Sequence, residues 1–210
     1  MKMLIVYLSL TVSICLTPIL MGAVPKALQQ DMRGRYFMVI WAYQGHAPTD
    51  SHSFATFYDG DDLADNRVTP ATISWLPATG TVHPLQVEEG RNFSLTETLA
   101  LACQSGKRVA NWGPYEISAD LYRRALARIE LLRSGKVAFS ALGFRPGTMN
   151  CIQAAGDIAH TPFRPGSSWG LAASQAIVRH LRRFFKNGGQ TNDTIAQSVM
   201  SNGCQNIAKR

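Results

Sequence analysis

A histidine at position 52 and a cysteine at position 151 are the residues of this 210-residue chain whose types and settings point most directly to chemistry. His52 opens the run His52-Ser53-Phe54-Ala55-Thr56-Phe57-Tyr58, whose aromatic and β-branched residues read as a strand. Cys151 follows Asn150, a good helix cap, and leads into Ile152-Gln153-Ala154-Ala155. A thiol in the first turn of a helix has its thiolate favoured by the helix dipole and by free backbone N–H groups, and an imidazole from a neighbouring strand can take its proton. Such a pair attacks carbonyls: Cys151 adds to the carbon, His52 accepts the proton and returns it to the leaving group, and the Cys151 amide supplies part of an oxyanion hole. The plainer reading, a packed thiol and a structural histidine, stands beside it as a non-catalytic alternative.

The elements that must position this pair can be read from pattern. Residues 35–43 form an apolar and aromatic run bounded by Gly34 and Gly45 and read as a central strand, with 51–58 as its neighbour. A turn region begins at Asp59-Gly60-Asp61-Asp62; its acidic residues lack the spacing of an EF-hand, so a solvated connection is expected rather than a calcium loop. Residues 71–76 read as a strand returning beside the His strand and 81–87 as another. Antiparallel pairing then sets Ser74 near His52, with His83 as the other candidate for holding the imidazole.

Ser94-Leu95-Thr96-Glu97 is a capping box that opens a helix over 95–104. A strand over 109–115 runs into a tight turn, and its Trp112 and Tyr115 are candidates for lining a substrate cleft. Ser118 caps a helix reaching Arg133, and 137–142 reads as a short strand. The Cys helix starts at Asn150, which also lies beside the substrate in this reading, and ends by His160-Thr161-Pro162. A last helix over 171–186 carries an apolar stripe and a basic face, the latter a candidate contact for an anionic membrane surface. The order of elements reads as an α+β fold, an antiparallel sheet packed against helices.

Met1–Ala23 has one lysine and a long apolar run, the form of a cleaved secretory signal or of a membrane anchor. The domain plan is therefore 1–23 signal or anchor, 24–34 linker, 35–187 folded domain and 188–210 polar tail. Location follows as periplasmic or secreted, membrane-anchored if the leader is retained. Loss of the leader takes the net charge from +7 to +6, a balance that favours anionic partners, with nucleic acid excluded by export. Cys103, Cys151 and Cys204 then remain, an odd number; Cys103 with Cys204 would leave Cys151 free, and three reduced thiols are the alternative. No metal-ligand spacing or phosphate loop is present, and no cofactor is expected: His46 and His52 are poorly spaced, and His160 and His180 have no partner at helical spacing.

The stretch His52-Ser53-Phe54-Ala55-Thr56-Phe57, followed at a distance by Asn150-Cys151-Ile152, resembles the circularly permuted NlpC-type branch of the papain-like superfamily. That branch includes relatives of lecithin retinol acyltransferase and several periplasmic families. In papain the Cys precedes its His; the order here is reversed. The resemblance spans about residues 36–158 and implies a permuted papain-like fold with Cys151 as nucleophile and His52 as base. It implies amide or ester hydrolysis, or acyl transfer, on a cell-wall peptide or a lipid. These families usually place a His, Asn, Gln or acid as the third residue, where this chain offers Ser74 or His83. The competing function is an envelope protein that keeps such a fold for binding.

Overall fold

The computed structural model describes residues 30–143, 145–159, 161–164, 168–193 and 195–196; the leader, His160 and Cys204 lie outside them. The longest apolar run makes the centre of the molecule. Strand β1 (Tyr36–Gln44) is buried on both faces, as a run without polar alternation requires. It pairs antiparallel with β2 (His52–Asp59) and with β7 (Arg108–Ile117), and β3 (Ala71–Ile73) adds to the far side of β2, giving a four-stranded antiparallel sheet in the order β3-β2-β1-β7. Two smaller sheets flank it: β4 (Trp75–Pro77) with β6 (Gly90–Asn92), and β5 (Val87–Glu88), β8 (Ala138–Ser140) and β9 (Thr148–Met149). All pairings are antiparallel except β8 with β9.

Each face of the main sheet has its own core. Phe37, Val39, Trp41 and Tyr43 of β1 and Phe54 and Tyr58 of β2 point to one face. There they meet α1 (Gly60–Ala64) and α2 (Leu95–Gln104) through Leu63, Leu95, Leu99 and Ala102. The alternate residues Met38, Ile40, Ala55 and Phe57 point the other way. They meet α3 (Ala119–Arg133), α4 (Cys151–Gly156) and α5 (Gly170–Leu181) through Leu121, Ile129, Ala154, Ala155 and Ile177. The protein is thus α+β, with antiparallel sheet packed against helices on both sides.

Several expected elements differ in extent. Residues 71–76 break at Ser74 into β3 and β4, because Ser74 turns its backbone N–H to the Asn92 side chain instead of to β2. Residues 81–86 form no strand: His83 turns its ring Nδ1 and its backbone N–H to Glu88. The run through Trp112 and Tyr115 continues as strand to Ile117 instead of turning. The last helix stops at Leu181 and continues as a 3-10 turn over Arg182–Phe184. The acidic turn is short helix, its Asp61, Asp62 and Asp65 paired with Arg33 and Arg67. The packed structure also passes residue 187: Thr191 bridges to Tyr115, and Ile195 is buried in the core beside α2.

One close approach positions the site. The Trp75 ring lies against Gly90, so that a Cβ there would overlap it, and Trp75 Nε1 donates to the Met149 carbonyl at 3.1 Å, two residues before Cys151. We expect Gly90→Ala to push the indole off that carbonyl and to cost about 1–3 kcal/mol, the usual range for overpacking. A thermal midpoint unchanged from wild type would contradict this packing.

Candidate functional site

The site is built where β2 begins. His52 faces Tyr43 directly across the β1–β2 pair and is wholly buried. Its ring stacks on Phe54, 5.3 Å between centroids, and lies 5.2 Å from the Tyr43 ring. Nε2 is 2.9 Å from Ser74 Oγ, and Ser74 Oγ is 2.7 Å from Thr98 Oγ1 on α2. Ser74 is held in turn: its N–H donates to Asn92 Oδ1 at 2.8 Å while Asn92 Nδ2 donates to the Thr72 carbonyl at 2.7 Å. The break in the strand at Ser74 is what lets the hydroxyl reach the imidazole. Nδ1 is buried without a hydrogen-bond partner. Burial, with a smaller contribution from the Lys107 charge, pushes the imidazole pKa down to about 3, so the ring is neutral.

Cys151 is the first residue of α4, whose start is fixed by a reciprocal box. Asn150 Oδ1 accepts from the Gln153 N–H at 2.8 Å and Gln153 Oε1 accepts from the Asn150 N–H at 3.0 Å. The thiol is free, and the backbone N–H groups of Ser53, Ile152 and Cys151 itself favour its thiolate. Cys103 is disulfide-bonded; its candidate partner Cys204 lies outside the described residues. The Cys151 residue keeps partial exposure, yet burial of the thiol pushes its pKa up, against the three N–H groups that lower it. This corrects the expectation of a dipole-lowered thiol. Helix α4 has six residues, too few to build much of a dipole, and desolvation outweighs it.

Two hydrogen bonds tie the two stretches together, His52 to Ser74 and Trp75 to Met149, and the amide of Ser53, the residue after His52, favours the Cys151 thiolate. They do not close the pair. The imidazole lies on the α2 face of the sheet with Phe54, α4 packs on the opposite face, and the thiol sits at the open edge of β2 that β3 has left. No hydrogen bond joins His52 to Cys151.

The other candidates fall elsewhere. His83 is exposed and bound to Glu88 at 2.9 Å, so Ser74 alone holds the imidazole. Tyr115 is buried core, stacked on Phe185 at 4.4 Å, and Trp112 packs against the core beneath α3 to α5. Both make packing contacts. Asn150 is spent as the α4 cap and donates Nδ2 to the Ala141 carbonyl at 3.2 Å. His180 lies beside Phe163 and Thr161, away from the pair.

Two residues at the site were not foreseen. Tyr43 reaches the neighbourhood of the thiol: burial first, then the Cys151 and Asp50 charges, push its phenol well above the usual range. Thr98 extends the polar line from His52. The capping box at Ser94 placed the helix that carries Thr98, and helical spacing from Ser94 was the signal for it.

Among the described residues no group of His, Cys, Asp or Glu could hold a metal ion, and no helix is long and apolar enough to cross a membrane. A depression of about 490 Å³ beside Arg91 and Arg133 and another of about 270 Å³ beside Arg35 and Glu116 do not include His52 or Cys151. Comparison of the chain with protein-family models, with curated proteins and with solved structures gave no match.

Proposed function

We propose that this protein is an exported thiol hydrolase of permuted papain-like architecture, in which Cys151 cleaves an amide bond, as in a cell-wall peptide, or an acyl bond, as in a lipid. The observation that carries the reading is the wholly buried imidazole with one nitrogen held by Ser74 and the other unpaired, one residue from the amide that favours the Cys151 thiolate. A buried ring nitrogen without a partner costs about 1–3 kcal/mol and has no stabilising purpose. In a Cys-His site it is the nitrogen that takes the thiol proton.

Because both groups are neutral at rest, the reaction begins from thiol and imidazole instead of an ion pair. Sγ comes to Nδ1 as the carbonyl arrives, His52 removes the proton during attack, and the carbonyl oxygen takes the electron pair near the Cys151 N–H. His52 then protonates the leaving amine or alcohol, and water cleaves the thioester. The apolar leader supports export, and the net charge of +6 left after its removal supports an anionic substrate or surface.

A second reading, an envelope protein that binds without catalysis, is favoured by the raised thiol, the depressed imidazole and the lack of a bond between them. The two part in one assay. Muropeptides and mixed phospholipid vesicles are incubated with the purified protein before and after alkylation by iodoacetamide. Hydrolysis of either, lost in step with alkylation of Cys151, supports the enzyme. Hydrolysis of neither, or hydrolysis that survives complete alkylation, supports the binding protein or another mechanism.

A further inference from the structure

We propose that Thr98 is a positioning residue that sets which nitrogen of His52 carries the proton, so that Nδ1 is presented as the unprotonated base. Its role as base rests on the Cys-His reading; the placement of the proton does not. His52 Nε2, Ser74 Oγ, Thr98 Oγ1 and the Ser94 carbonyl form a line with steps of 2.9, 2.7 and 2.8 Å, whose last member also accepts the Thr98 N–H at 2.9 Å. His52, Ser74 and Thr98 are all fully buried, so each proton on the line has to find its acceptor on the line.

The accounting has two solutions. The Ser94 carbonyl, at the cap of α2, can only accept. If Thr98 donates to it, Ser74 donates to Thr98 Oγ1 and Nε2–H donates to Ser74, and every donor is satisfied. The one unpaired group is then the Nδ1 lone pair. If the line runs the other way, Thr98 donates to Ser74, Ser74 donates to Nε2, and the ring proton moves to Nδ1. That leaves a buried N–H with no acceptor, since Nδ1 has no partner. Orphaned buried N–H groups are the rarer and costlier defect. The first solution wins, and its direction is set at Thr98, the one hydroxyl that touches a group unable to donate. The ring is neutral, so there is a single proton to place.

The test uses the full chain with 15N-labelled histidine and long-range 15N–1H correlation. In the wild type we expect His52 to show a pyridine-type Nδ1 and a pyrrole-type Nε2. Thr98→Val keeps the shape and removes the hydroxyl, so either tautomer leaves one buried donor unpaired and the two ring nitrogens should share the proton. Thr98→Ser should restore the wild-type pattern. With p-nitrophenyl acetate as acyl donor, Thr98→Val should lower kcat several-fold, as the share of the wrong tautomer grows, with KM little changed. A wild-type spectrum with the proton on Nδ1 overturns the proposal without any variant, and so does a wild-type pattern in folded Thr98→Val. The expected spectra with no acylation of Cys151 would leave the proton assignment standing and remove the hydrolase reading instead.

Discussion

Cys151→Ala is expected to bring hydrolysis of any substrate down to background while the protein stays folded. A methyl group can neither attack a carbonyl nor form a thioester, so no residual covalent route remains. The effect on stability should be small. The residue is only half-buried, and the bonds that position it are made by its neighbours: Asn150 with Gln153, and Trp75 with Met149. Thermal unfolding and turnover measured on one preparation check both halves. Turnover equal to wild type would remove the thiol mechanism.

His52 should show the second large effect, in stability as well as in rate. Its pKa is about 3 folded, against about 6.5 unfolded. A histidine with a depressed folded pKa contributes stability that is complete above the unfolded value and is lost as pH falls towards the folded one. Between about pH 6.5 and 3 that amounts to roughly 5 kcal/mol for this fully buried ring. We therefore expect urea midpoints to fall steeply in this window for the wild type and less steeply for His52→Gln, whose amide does not titrate. At neutral pH His52→Gln should itself be less stable by about 2–3 kcal/mol, through the lost ring packing on Tyr43 and Phe54 and a mismatched partner for Ser74. Its hydrolysis should fall by roughly 10²- to 10⁴-fold, the usual worth of a general base. Parallel acid profiles for the two proteins would show that His52 is not buried neutral.

What could be read in the sequence was whatever depends on local chemistry. The run 35–43 announced a central strand, Ser94 and Glu97 announced α2, and Ser118 announced α3. Ser74 was placed near His52 from antiparallel pairing, and it holds Nε2. The bond comes from the break in the strand at Ser74, which depends on Asn92, eighteen residues on. Such a contact leaves no periodic trace. His83 was misread because its alternation suggested a strand, whereas Glu88 offered the ring and its backbone a local partner. Tyr115 and Trp112 went to the core because β7 runs on beneath α5 instead of turning into a cleft. The acidity of the thiol depended on burial, and burial is set by the whole fold: the helix start was legible at Asn150, the desolvation around it was not.

The most direct test of the Cys151-His52 pair is peptide-level mass spectrometry of the full-length protein quenched in acid shortly after mixing with p-nitrophenyl acetate at neutral pH. A Cys151-His52 mechanism predicts an acetyl thioester on the Cys151 peptide that forms in a burst, decays by hydrolysis, and forms at least about 10²-fold more slowly in His52→Gln. An unmodified Cys151, or a thioester that forms equally fast without His52, would contradict it.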